Sequence, residues 1–327
     1  MIIFHLEFFF KHKERTLSNE SSNLPSDAVY QADIHSSIVF LKKYLYPQLS
    51  SEASQWMEKK CSLIQEEKSD RKFYLFFSSV PRFIPKHSFQ LDVDTLKLAD
   101  KIRVGWQPHA WKQDQACRIL MLLTLAQGRV DELYPLVMSL FDTADVGEAT
   151  AILAALPLLP YPQKYRKLAA EGVRTNMTVA LEAISLQNPY PADYLDENAW
   201  NQLYLKSVFT ERAIYKIYGL ERRANPRLAT IISDYAHERW AANRVVTPEI
   251  WRSIAPFMTA DLLEDMKHLL ELPDELQQLA AAKVCEQASL QAAHDLLSNY
   301  PALAARAKAL DWNMIGQLWE DRPQINQ

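Results

Sequence analysis

Glycine is scarce in this chain of 327 residues. There are six, and the two closest, Gly128 and Gly147, stand 19 residues apart. A turn that cradles phosphate between a strand and a helix needs clustered glycines, since only a backbone without Cβ can approach an anion so closely. Helices need few. The 17 prolines are spaced as helix starts and stops. The expected fold is all-α: an irregular antiparallel helix array of α-solenoid-like, HEAT-like architecture. No exact internal period is present, so any repeats are degenerate.

Apolar periodicity places helices over about 34–47, 52–67, 108–126, 129–143 and 146–157. It places others over 162–172, 176–187, 196–209, 226–242, 248–256, 260–271, 274–285, 288–298 and 301–309, with a last one around Trp312–Trp319. Ser51 is read as the cap of the second helix, and Gly128 as the break after 108–126. Residues 72–84 are aromatic-rich and ambiguous; helix is favoured over strand because nothing nearby offers a strand partner. The expected organisation is a separate N-terminal segment, 1–30, followed by one helical array over 31–327.

Residues 1–10 (MIIFHLEFFF) are too few to span a bilayer, and their basic residues follow the apolar run instead of preceding it. They read as a mis-assigned start or a docking segment, with weak membrane contact as the alternative. Residues 16–27 are polar and read as a disordered linker. Cys61, Cys117 and Cys285 are odd in number and far apart, which suggests a reducing, cytoplasmic compartment. The net charge of −4, without clustered basic residues, makes nucleic acid a poor partner.

The familiar catalytic signatures are missing. Glycine spacing forbids a dinucleotide fingerprint or a nucleotide-triphosphate loop. No serine is flanked by the glycines of a nucleophile elbow. A zinc-protease helix would carry a second histidine four residues after His237, and that position is Ala241. No cofactor or metal is expected.

The densest run of unusual polar and aromatic residues is NPYPADYLDENAWNQLYLKSVF (188–209), followed by GLERRANPRLATIISDYAHERWAANR (219–244) and TPEIWRSIAPF (247–257). These strings resemble the EboA family of bacterial proteins, with FYLFFSSVPRF (73–83) and LPLLP (156–160) as weaker parts of the same pattern. The resemblance covers about 73–257. It implies a place in a bacterial biosynthetic cluster that also encodes a membrane prenyltransferase-like protein, a dehydroquinate-synthase-like protein, and isomerase-like or hydrolase-like proteins. In cyanobacterial relatives that cluster is associated with moving a scytonemin precursor out of the cytoplasm. The resemblance brings a pathway context and no mechanism.

Several residues invite a functional reading beside a structural one. In the helix of 226–242, Leu228, Ile231, Ile232, Tyr235, Ala236 and Trp240 form an apolar stripe, and Arg239 falls near its middle. A guanidinium there is either ion-paired, with Glu171, Asp196 or Glu197, or lines a cavity and grips an anionic ligand. Asp234, His237 and Glu238 lie on the polar side; His237 and Glu238 diverge by about 100°, so they do not face one substrate atom. Asn201 sits on an apolar helix, where its amide must find partners: bracing the loop 188–194 is one reading, touching a ligand the other. Asn188 and Tyr190 belong to that loop. Asn225 before Pro226 is a helix cap. Trp106, Trp111, Trp251 and Trp319 read as packing residues.

Two functions follow. One is a non-catalytic scaffold or adaptor for biosynthesis or export of a small secondary metabolite, with other proteins of the cluster as partners. The other is a small-molecule-binding protein or cryptic enzyme, with a pocket among helices 162–257 built on Arg239, Asn201 and Tyr190.

Overall fold

Helix caps written into the sequence set where most of the described α-helices begin. The computed structural model describes residues 32–322, so the expectations for 1–30 and 16–27 lie outside the described residues. Asp33, Ser50, Ser69, Asp92, Asp145, Asp196, Asn225, Thr259, Asp274 and Asp311 each turn a side-chain oxygen onto a first-turn N–H. Each satisfies a donor that the helix itself cannot. Ser50, not Ser51, is thus the second helix's cap.

The helices are α1 (Ile34–Leu45), α2 (Ser51–Glu66), α3 (Asp70–Ser79), α4 (Val93–Ile102), α5 (Gln113–Gly128) and α6 (Leu133–Asp142). Then come α7 (Val146–Ala155), α8 (Arg166–Arg174), α9 (Thr178–Ser185), α10 (Tyr190–Tyr194), α11 (Glu197–Phe209) and α12 (Pro226–Ala241). The last are α13 (Ala260–Glu271), α14 (Glu275–Gln287), α15 (Gln291–Ser298), α16 (Pro301–Ala309) and α17 (Trp312–Glu320). Among the described residues the β pairing is limited to two isolated bridges, Ser88 with Lys112 and Leu186 with Ile217. The fold is an all-α array.

Helices α5, α7, α11 and α14 carry much of the interior, with most of their residues buried. α5 packs against α1, α2 and α7. Its Arg118 is buried, held by Asp114 at 3.2 Å and by the Phe77 carbonyl at 3.3 Å. α14 packs against α13, α15, α16, α17 and the 3₁₀ segment Pro248–Ser253. α11 buries Trp200, Asn201, Leu203 and Tyr204. The sequence reading singles out α11 alone. Buried apolar side chains from Ile38 to Ile315 form one connected cluster.

Some boundaries differ from expectation. The helix expected over 108–126 starts at Gln113, because Pro108 opens a 3₁₀ turn and Lys112 is held extended by its bridge to Ser88. Gly128 is its last residue. Segment 248–256 is a pair of 3₁₀ turns, Pro248–Ser253 and Ala255–Phe257; Pro256 has no N–H with which to continue an α-helix. Residues 72–84 fall in α3 and the 3₁₀ turn Val80–Arg82, in line with the helical reading. α4 and the five-residue α10 have no counterpart in the sequence reading.

Candidate functional site

The structure divides the residues singled out from sequence into framework and surface. Asn188 is framework: its Nδ2 donates to the Leu153 carbonyl at 3.2 Å and the Ala183 carbonyl at 2.8 Å, and its Oδ1 accepts from Tyr190 N at 3.0 Å. The Tyr190 hydroxyl donates to the Pro162 carbonyl at 2.6 Å. Tyr190 is fully buried, and that burial pushes its phenol well above the ordinary range. Asn201 pairs with Asn225: Nδ2 of each donates to Oδ1 of the other, at 3.2 and 2.9 Å. The same Asn225 Oδ1 accepts Leu228 N at 2.8 Å as the cap of α12. Asn201 therefore braces the cap of α12, not the loop 188–194, because α11 crosses the start of α12.

Arg239 does not sit in the core as its angle on the stripe implies. It is half-buried, and no carboxylate lies within ion-pair distance of it among the described residues, so the pairing with Glu171, Asp196 or Glu197 is not found. α12 ends two residues later, with Asn243 in the left-handed region at φ 54°. The guanidinium turns to that loop, where Nη2 donates to the Val245 carbonyl at 3.0 Å.

The remaining residues of α12 meet α13 at the surface. Asp265 of α13 is buried, and its carboxylate takes the Ser233 hydroxyl at 2.6 Å and His237 Nε2 at 2.6 Å. A carboxylate only accepts, which assigns the Nε2 proton to His237 when the ring is neutral. Serine, histidine and aspartate stand together here, but the serine is bonded to the carboxylate and not to the imidazole. The imidazole does not reach the hydroxyl proton, and the one base that does is a carboxylate, far weaker than an imidazole, so the order of a Ser–His–Asp triad is not reproduced. Trp240, half-buried, lies beside His237, with centroids 5.5 Å apart, and His268, at 4.4 Å. It stacks over the buried Trp251 at 5.9 Å and 23°. His237, Glu238 and His268 are exposed, and Asp234 is half-buried.

A second polar group was not anticipated. Glu249, in Pro248–Ser253, is 3 % exposed, and its Oε2 has no hydrogen-bond partner. Burial pushes its carboxyl up to about 8 against the pull of Arg252, so it is largely a neutral acid at pH 7. Around it stand Tyr204, whose hydroxyl donates to the Ile250 carbonyl at 2.9 Å, and the buried Ser253. Arg252 is held by Glu221 at 2.9 Å and Asn313 at 3.1 Å. Perturbed, buried titratable groups concentrate at functional sites, though ion-pair networks perturb them too. Lys206, lowered to about 8 by burial and by Arg174, donates to the Thr175 carbonyl past the end of α8. In sequence Glu249 reads as an ordinary first-turn acid after Pro248, and nothing in its own segment marks its burial.

Among the described residues no group of three His, Cys, Asp or Glu side chains is placed to hold a metal. No described helix is long and apolar enough to cross a membrane. The three cysteines are buried thiols. An open groove of about 550 Å³ lies between α14, α16 and α17, with Leu276, Leu279, Leu310 and Leu318 on its walls and Arg306 and Arg322 at its rim.

The fold is an all-α helical array with an outward cluster of His237, Glu238, Trp240 and His268 at the end of α12 and a buried Glu249 in the segment 247–253. The chain belongs to the EboA family: the family model described as metabolite traffic protein EboA matches residues 37–255, and the role it brings is metabolite traffic. The match starts well before the Phe73 at which the resemblance begins in sequence. Neither the curated proteins nor the solved structures contain a match to this chain.

Proposed function

We propose that the chain serves metabolite traffic as a helical adaptor: it binds other proteins of its biosynthetic cluster, a membrane prenyltransferase-like protein among them, at the cytoplasmic side of an export step. The cargo is a small secondary metabolite of the scytonemin-precursor kind. One observation carries this reading. The polar residues best suited to line an internal pocket, Asn188, Tyr190 and Asn201, have their hydrogen bonds taken by the fold's own backbone and caps. What stays available is an outward face of His237, Glu238, Trp240 and His268. Aromatic and charged side chains on a rigid frame are the usual anchors of a protein contact.

The test is pathway output in cells carrying His237→Ala with Glu238→Arg and His268→Ala, beside cells carrying Arg239→Met. The adaptor reading expects export to fall at least tenfold in the triple variant at unchanged melting temperature, and to persist in Arg239→Met. Normal export from the triple variant, or its loss in Arg239→Met at unchanged stability, would count against it.

A second reading, binding of the metabolite itself, is favoured by the unpartnered Glu249 Oε2. It moves the recognising group from Arg239 to the segment 247–253.

A further inference from the structure

We infer that α17 is a displaceable latch, seated over the buried Glu249 carboxyl by its single glycine and released by ionisation of that carboxyl. The inference stands independently of the adaptor reading.

The contact is close. A Cβ added at Gly316 would lie 2.4 Å from Glu249 Oε2 and 2.7 Å from the Tyr215 ring, so only glycine lets α17 rest there. Around that point α17 is fastened by polar ties. Asn313 Oδ1 accepts from Arg252 at 3.1 Å, Glu320 pairs with Lys216 at 3.1 Å, and Glu320 also takes the Tyr215 hydroxyl. Its apolar anchorage is small: Trp312 and Ile315 are buried, while Met314 and Leu318 are about half exposed. On its other side lies the open groove, which Leu318 and Arg322 help to line. A helix with few buried apolar side chains, held by surface hydrogen bonds and an ion pair beside an open groove, belongs to the low-stability end of a fold.

The groups facing Glu249 set the direction. Arg252 on its own segment favours the ionised form but is shared with Glu221 and Asn313. In the turn 214–216 the backbone N–H groups of Tyr215 and Ile214 also favour the ionised form, while Lys216 is drawn to Glu320; Glu320 from α17 disfavours ionisation, and Tyr204 comes from α11. On α14, Lys283 is turned to the Ala307 carbonyl at 3.1 Å. Burial outweighs Arg252, and the seated carboxyl holds its proton up to about 8. With α17 lifted, the carboxyl meets water and ionises as an ordinary glutamate, near 4.5. The lifted state therefore binds fewer protons between those two values. Opening becomes easier as pH rises through that window and levels off above it.

Hydrogen exchange of the full chain between pH 5.5 and 7.5, corrected for intrinsic amide chemistry, tests this. Protection of residues 313–319 should fall at least tenfold across the range and stay below that of α5 and α11 at every pH, since α17 opens without them. Glu249→Gln should abolish the pH dependence, and Gly316→Ala should lower α17 protection at every pH without unfolding α5. Protection of α17 that is flat with pH, equally pH-dependent in Glu249→Gln, or lost only together with α5 would overturn the latch.

Discussion

Asn201 and Asn225 exchange amide hydrogen bonds at 3.2 and 2.9 Å, tying the buried centre of α11 to the first turn of α12. The pair does two jobs with one cap. Asn225 Oδ1 also accepts Leu228 N, and its Nδ2 donates to the Arg223 carbonyl at 3.1 Å. Asn201→Ala leaves part of the Asn225 amide buried and unmatched, at a cost of ~1–3 kcal/mol. Urea unfolding should show that loss with an unchanged m-value.

Glu249 sets a pH dependence of overall stability. Its carboxyl is raised from 4.5 to about 8 in the folded chain, so its contribution is fully present below pH 4.5 and is lost as pH rises to 8. Glu249→Gln should be more stable than the parent at pH 8 by an amount on the order of a few kcal/mol, and should have a flatter profile between pH 5 and 8. Denaturant midpoints at several pH values measure both.

Asp265 and His237 should behave unequally. The carboxylate is buried with two donors aimed at it, and Asp265→Ala should cost ~1–3 kcal/mol. The His237 side chain is 59 % exposed, so His237→Ala should cost under ~1 kcal/mol. Equal losses of melting temperature in the two variants would refute the assignment of His237 to the surface.

Two glycines should respond with opposite signs. A Cβ at Gly172 of α8 would lie 2.4 Å from Leu153 Cδ2 of α7 in a fully buried contact. Gly172→Ala should cost ~1–3 kcal/mol through overpacking. Gly128, the last residue of α5, has nothing within 4 Å of such an atom. Gly128→Ala should be neutral or stabilise by up to ~1 kcal/mol, because alanine restricts the unfolded chain. Thermal unfolding of the two variants distinguishes them.

The helical class was legible because it follows from spacing: glycine poverty, prolines at helix starts, and Asp, Ser or Asn before apolar runs. Local signals also gave the Asn225 cap and the burial of α11. Contacts between helices were not legible. Arg239 lies on the apolar stripe by angle, but its surroundings depend on where α12 stops and on the loop that Asn243 turns. Asn201 announces burial, and only the crossing of α11 and α12 names its partner. Glu249 after Pro248 reads as an ordinary first-turn acid. Its burial comes from α14 and α17, far along the chain, and the one trace of the α17 contact is Gly316 inside an otherwise amphipathic helix.

The central claim, that the chain works in metabolite traffic through protein contact at the end of α12, is met most directly by titrating the purified chain calorimetrically with each purified protein of its cluster. The account predicts saturable binding to at least one of them, weakened at least tenfold by His237→Ala with Glu238→Arg and His268→Ala at unchanged melting temperature. Absence of binding to every cluster protein, with the purified chain alone retaining or converting a small metabolite, would contradict it.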